Sequence, residues 1–423
     1  MPRIPKLSSV GIARYTRALS ALAFPMSRNP DVIIIGGGAS GLMCALSAGY
    51  RGLAVQVLEM GPKVGLKILV SGGGRCNFTN LRVDPKCHFL SDNAHFCISA
   101  LKRFTPEDFI ALVEGAGIAY HEKTLGQLFC DHSAKEIVAM LLGHCEAAGV
   151  QIALRQKVTG IFPQEAGGFQ VETEKGAFQA PQVVLASGGL SMPKIASDLA
   201  FRFTRQQGMA QVAPRAALVP LTWRAEDRAR FDALSGISVD AMVSAGDAHF
   251  RENLLFTHRG LSGPAVLQAS SFWREGEAVK INLLPDHEAL AWLRDGQQRF
   301  PRQQLSTLLK SALPARLVEV LVMADFSDAQ LANVSGETLG RLAERLGAWC
   351  VYPHGTEGYR TAEVTLGGLA TSEVSSKTFE LKRLPGLYAI GEALDVTGWL
   401  GGYNFQWAWA SGWCCAQHLR YPS

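Results

Sequence analysis

DVIIIGGGASGLMCALSAGYRGLAVQVLE, residues 31–59, decides the reading of this chain. Residues 31–35 form an apolar, β-branched run suited to a buried parallel strand; a Gly-rich turn and a helical stretch follow, and AVQVLE makes a second strand. Strand, helix and strand within about 30 residues are the βαβ unit of a doubly wound sheet. Gly36, Gly38 and Gly41 stand at GxGxxG spacing across the turn. Gly36 permits the tight turn, Gly38 lets the backbone approach a pyrophosphate, and Gly41 lets the helix pack on the strand. The helix N-terminus then offers N–H groups to the anion. Glu59 closes the second strand 18 residues after Gly41, where a carboxylate accepts hydrogen bonds from an adenosine ribose. The unit reads as a dinucleotide site.

The segments that follow choose between dinucleotides. KILVSGGGRCNFTN (67–80) sets three glycines beside Ser71, Arg75 and Asn77, a second backbone cradle that nicotinamide enzymes rarely need. Taken alone it is equally a turn followed by a helix cap. GLYAIGEALDVTGWLGGYNFQWAWASG (386–412) supplies a strand ending at Gly391 and Glu392, a loop with Gly398, Gly401 and Gly402, and a helix opening near Asn404. The acid suits ribityl hydroxyls, and the helix N-terminus suits negative charge at the pyrimidine end of a reduced flavin. The expected cofactor is FAD. Of Trp399, Trp407, Trp409 and Trp413 in this stretch, at least three are expected to be core.

With 423 residues, 48% hydrophobic and 18% charged, the chain has the composition of a globular protein of two or three domains, with no apolar run long enough to span a membrane. PQVVLASGGLS (181–191) and GLYAIGEALD (386–395) look like later strands of the same sheet. Between them, residues 217–284 alternate with period two and residues 287–349 switch to helical spacing. The expected organisation is a non-core extension over 1–30, a first cofactor-domain segment over 31–195, an insertion over 196–352, and a second cofactor-domain segment over 353–423. The insertion is β-rich over 210–285 and helical over 286–350.

The formal charge of +4 comes from the N-terminal extension, which holds Arg3, Lys6, Arg14, Arg17 and Arg28; residues 31–423 carry 36 basic and 37 acidic residues. A near-neutral body predicts no nucleic-acid or membrane partner, because such partners select for clustered positive charge. Nine cysteines without a CxxC pair point to reduced thiols in a cytoplasmic setting, with no disulfide scaffold or metal site.

The chain resembles the bacterial FAD-binding flavoproteins called BaiN-like, YhiN-like or aminoacetone-oxidase-like. The resemblance rests on IIIGGGASGL, SGGGRCNFTN, GQLFCDHSAKEIV, VVLASGGLSMPKI, FTHRGLSGPAVLQAS, AEVTLGGL, SSKTFE and LDVTGWLGGYNFQWAWASG. It implies an α/β, doubly wound FAD-binding domain of the glutathione-reductase type with an inserted β-barrel-like region and a small helical region. It further implies that Gly36, Gly38, Ser40, Gly41, Glu59 and Lys67 serve the adenosine and pyrophosphate side. Gly73, Arg75, Cys76 and Asn77 approach the flavin, and Gly367, Gly368, Glu392, Gly402, Tyr403 and Asn404 line the ribityl and isoalloxazine.

No second GxGxxG unit is present, so NAD(P)H is expected only as a transient co-substrate. The leading expectation is an FAD-dependent oxidoreductase that uses NAD(P)H to reduce an activated C=C bond in a small hydrophobic substrate. Hydride goes to the β-carbon, and a side chain or water protonates the α-carbon. The alternatives are an amine (aminoketone) oxidase using oxygen and a flavoprotein partner in RNA modification. Candidate acid/base groups are His258, Tyr403 and Cys76, while Cys130 reads as a buried thiol.

Overall fold

The computed structural model describes residues 4–5 and 30–421. Apart from Ile4, Pro5 and Pro30, the extension expected over 1–30 lies outside them.

Thirteen elements position the site. They are β1 (Val32–Ile35), α1 (Ala39–Gly49), β2 (Val55–Glu59), α2 (Leu66–Val70), β3 (Asn77–Asn80), β4 (Tyr120–Glu122), β5 (Gln127–Cys130), α3 (Ala134–Ala147), β6 (Gln151–Leu154), β7 (Gln182–Leu185), β8 (Val364–Leu369), β9 (Leu387–Ala389) and α4 (Tyr403–Ala416). A five-stranded sheet runs in the order β9-β7-β1-β2-β6, with every pairing parallel. Parallel strands need crossover connections, and α1 supplies the one from β1 to β2. Val32, Ile33 and Ile34 are 0% exposed, as a central strand covered on both faces requires. Helices α3 and α4 pack against α1. A Cβ on Gly412 of α4 would stand 2.4 Å from the Ser40 carbonyl oxygen, so the close approach of α1 and α4 depends on that glycine. This is the Rossmann-like α/β architecture expected.

The chain divides into two compact units: Met1–Arg215 with Val364–Ser423, and Ala216–Glu363. The interruption therefore differs from the expected 196–352. Helix Leu199–Gln206 falls in the first unit, and strand Gln211–Ala217 pairs with β8, which keeps both flanks of the insertion with the cofactor domain. Pairing between segments so far apart leaves no local mark on either one.

The second unit carries a seven-stranded sheet whose pairings are all antiparallel. Its long hairpin, Ser238–Ala245 with Ala248–Phe256, alternates buried and exposed positions. The two edge strands, Trp349–Val351 and Gly355–Thr356, are separated by residues 352–354 alone, which keeps the two edges of the sheet near one another. Helices Ala289–Arg299, Leu305–Lys310 and Gly336–Gly347 lie in its helical part. Among the described residues no helix is long and apolar enough to cross a membrane.

Candidate cofactor and substrate site

The site grows from the β1–α1 turn in the first unit. Gly36 holds φ +114°, and a Cβ there would meet the Ala186 carbonyl oxygen at 2.3 Å; a Cβ on Gly41 would lie 1.9 Å from the Gly36 oxygen. These two glycines are demanded by backbone packing. Gly38 differs. A Cβ on it would meet nothing within 4 Å, and the helix it caps has no side-chain cap on its first N–H groups. The turn is a concave, N–H-lined surface open for an anion.

Glu59 accepts from Gly37 N–H at 2.7 Å through Oε2 and from Gly61 N–H at 2.6 Å through Oε1. Burial pushes its carboxyl above the usual range, against the pull of the two backbone hydrogen bonds. Beside the same turn, the Oγ of Ser187 is buried with no partner, and its Cα lies 3.2 Å from the position of a Gly36 Cβ. A buried hydroxyl without a partner costs about 1–3 kcal/mol, which a bound polar ligand would recover. The open cradle, the anchored acid and this orphaned hydroxyl fit a dinucleotide.

A second cluster ties distant segments together. Lys67 Nζ donates to Glu392 Oε2 at 2.6 Å and to Ser191 Oγ at 2.5 Å. Glu392 Oε1 accepts from Thr365 N–H at 2.8 Å, and Thr365 Oγ1 accepts from Leu190 N–H at 2.7 Å. Lys67, expected on the pyrophosphate side, thus stands with the acid expected at the ribityl. Gly367 and Gly368 are accounted for by backbone approach: Cβ atoms there would lie 2.7 Å from Ala213 O and 2.8 Å from Ala393 O.

A third group stands at the start of α4. Its N-cap, Gly402, has φ +96° and no side-chain cap, and a Cβ there would press on Thr79 O at 2.4 Å. Oriented to satisfy its neighbours, the Asn77 amide accepts from Gly402 N–H at 3.3 Å and donates to Thr79 O and Leu128 O. Asn404 turns back to its own loop, accepting from Gly398 N–H and donating to Gly398 O, each at 2.8 Å. Gly73 is open on all sides, and Arg75 beside it is exposed.

Asn77, Phe129 and His121 lie abreast across β3, β5 and β4, since Asn77 pairs with Phe129 and Phe129 with His121. Directly paired residues share a sheet face. The His121 ring lies 18° from the plane of Phe129 at 6.2 Å, Lys123 Nζ stands 5.4 Å from the same ring, and His121 Nδ1 is 2.6 Å from Asp131 Oδ1.

The three expected acid/base residues stand in different settings. Cys76 is 0% exposed, with a left-handed φ of +48°, and burial and the neighbouring Cys130 push its thiol up; this is a wall residue. Tyr403 is buried with its ring against His88 and Phe89. His258 belongs to the second unit, exposed in the tight turn closed by Thr257 and Gly260. Sequence reasoning passed over Ser187, Ser191 and Thr365, although the first two lie in the VVLASGGLS stretch it had read as strand and turn. It also passed over His121 and Asp131, which carry no local signal.

Residues 30–418 match the family model described as HI0933-like protein Rossmann domain. The chain belongs to the HI0933-like family. Its motif resemblance holds at this level, and the fold is the Rossmann-like FAD-binding type. One relative in this comparison, 50% identical over 92% of this chain and 98% of its own length, is the ribosomal RNA dihydrouridine synthase of Escherichia coli. A protein of the same name from Haemophilus influenzae is 48% identical over 92% of this chain and 98% of its own length. The 3-dehydro-bile acid delta(4,6)-reductase of Clostridium scindens is 30% identical over 90% of this chain and 96% of its own length.

Proposed function

We propose that this HI0933-like chain holds FAD in its first unit and reduces the C5=C6 bond of a uridine in ribosomal RNA to dihydrouridine, with NAD(P)H as the reductant. The carrying observation is 50% identity to a protein named for that reaction, sustained over 98% of that protein's length. The uracil C5=C6 bond is conjugated to a carbonyl, so the chemistry is the activated C=C reduction expected from the sequence, with a different substrate. Saturation of such a bond is also what the name of the more distant bile-acid relative describes.

Bound FAD supplies the hydride. The residues of the chain bind and orient it: the Gly38 cradle and the α1 N-terminus take the pyrophosphate, and Glu59 takes the adenosine ribose. Ser187 closes the turn, Glu392 held by Lys67 takes the ribityl hydroxyls, and the α4 N-terminus stabilises charge at the pyrimidine end.

An RNA substrate departs from the expectation of no nucleic-acid partner. Net charge averages over the chain, whereas binding reads local fields. Arg75, Arg82 and Lys123 are all exposed around β5: the Arg75 carbonyl accepts from Cys130 N–H, Arg82 lies against Gly126, and Lys123 caps Phe129.

The test is incubation of the FAD-loaded protein with NAD(P)H and unmodified ribosomal RNA, followed by mass spectrometry of the nucleosides. A uridine heavier by two hydrogens, absent when either cofactor is withheld, is the expected result. RNA left unchanged while an aminoketone bleaches the flavin would favour the oxidase alternative.

A further inference from the structure

The reduction proposed above needs a proton as well as a hydride, and neither Cys76 nor Tyr403 is exposed to give one. We propose that His121, oriented by Asp131, is the proton donor to C5 of the uracil; the assignment rests on the reading of the chain as a uridine reductase.

Geometry carries it. His121 Nδ1 is fixed by Asp131 Oδ1 at 2.6 Å, and the side chains remain 43% and 37% exposed. An imidazole held at Nδ1 by a carboxylate presents Nε2 to an external partner, and in the doubly protonated ring that nitrogen carries the proton to be given. The pair stands at the outer end of a continuous row. Gly402, at the α4 N-terminus, is hydrogen-bonded to Asn77; Asn77 is abreast of Phe129, and Phe129 of His121. The 71–75 glycine loop borders the same ring, with a Cβ on Gly72 falling 2.8 Å from Phe129 Cε1. Directly opposed side chains on a sheet are about 5 Å apart, so the row spans about 10 Å from Asn77 to His121. Among the described residues, His121 is the titratable side chain of that row whose own carboxylate partner leaves it open to solvent.

The step balances. The C5=C6 π bond breaks, a C6–H bond forms with the hydride from the cofactor side, and a C5–H bond forms with the proton from His121 Nε2. Neutral imidazole is reprotonated from water at its exposed edge, and NAD(P)H is the net two-electron reductant. Asp131 acts through His121 as a positioning residue.

The experiment separates the half-reactions. FAD-loaded wild type, His121→Gln, Asp131→Asn and a His132→Gln control are reduced anaerobically with NADPH, then mixed with ribosomal RNA while flavin absorbance is followed. Flavin content and RNA affinity are measured on the same samples. The expected result is an unchanged reduction rate, flavin content and RNA affinity throughout, with reoxidation by RNA slowed about 100-fold or more in His121→Gln, less in Asp131→Asn, and not in His132→Gln. Wild-type-like reoxidation in His121→Gln overturns the assignment alone, as does a loss explained by weaker RNA binding. Wild-type protein that is never reoxidised by RNA overturns the function and the assignment together.

Discussion

Lys67 Nζ and Glu392 Oε2 meet at 2.6 Å although 325 residues separate them. The contact joins the segment after β2 to the segment after β9, and Ser191 and Thr365 complete it from two further segments. Lys67→Met leaves the Glu392 carboxylate without its cation in a partly enclosed place. A pair of intermediate exposure is worth about 1–2 kcal/mol, so FAD affinity is expected to fall about 10-fold, read by flavin fluorescence titration of the apoprotein.

The three glycines of the turn separate binding from folding. Gly38→Ala adds a Cβ that meets no protein atom within 4 Å, at an ordinary φ of −83°. Its urea midpoint should match wild type while FAD content falls at least 10-fold, of the order expected when a methyl group blocks a backbone–phosphate contact. Gly41→Ala places a Cβ 1.9 Å from Gly36 O and should lower stability itself, by roughly 3 kcal/mol or more. Urea titration and the flavin absorbance of purified protein measure both.

These contrasts mark what was legible in the sequence. The turn, Glu59 and the C-terminal GGYN helix are local patterns, each with its physical reason within a few residues. At least three of Trp399, Trp407, Trp409 and Trp413 were expected as core, and Trp407, Trp409 and Trp413 are buried. What was not legible depends on long-range pairing. Lys67 with Glu392, His121 with Asp131, and strand Gln211–Ala217 with β8 are each made by segments that carry no mark of their partner. Cys76 and Tyr403 were chosen for their chemistry, and both are buried, which sequence reports poorly for single residues.

Stability should depend on pH through His144. Its Nδ1 is 2.9 Å from the Tyr50 hydroxyl, and burial lowers its pKa from 6.5 to about 4. The unfolded chain therefore binds this proton at higher pH than the folded chain. The contribution is fully present above pH 6.5 and is lost as pH falls through 4, by about 3 kcal/mol in all. Urea midpoints measured from pH 7 to pH 4 should fall over that window, and His144→Gln should flatten this part of the slope.

The exposed cations around β5 should bear on RNA binding. Lys123→Ala and Arg75→Ala are each expected to weaken ribosomal RNA binding roughly 3- to 10-fold and to reduce the salt slope by about one, with FAD content held by Lys123→Ala. Filter binding across a salt series reads this.

An anaerobic single turnover tests the proposed uridine reduction most directly. FAD-loaded protein, reduced with one equivalent of NADPH and freed of excess, is mixed with unmodified ribosomal RNA, and dihydrouridine is counted against flavin reoxidised. One dihydrouridine per flavin is the expected result. Flavin that stays reduced in the presence of the RNA, or reoxidation without dihydrouridine, would contradict it.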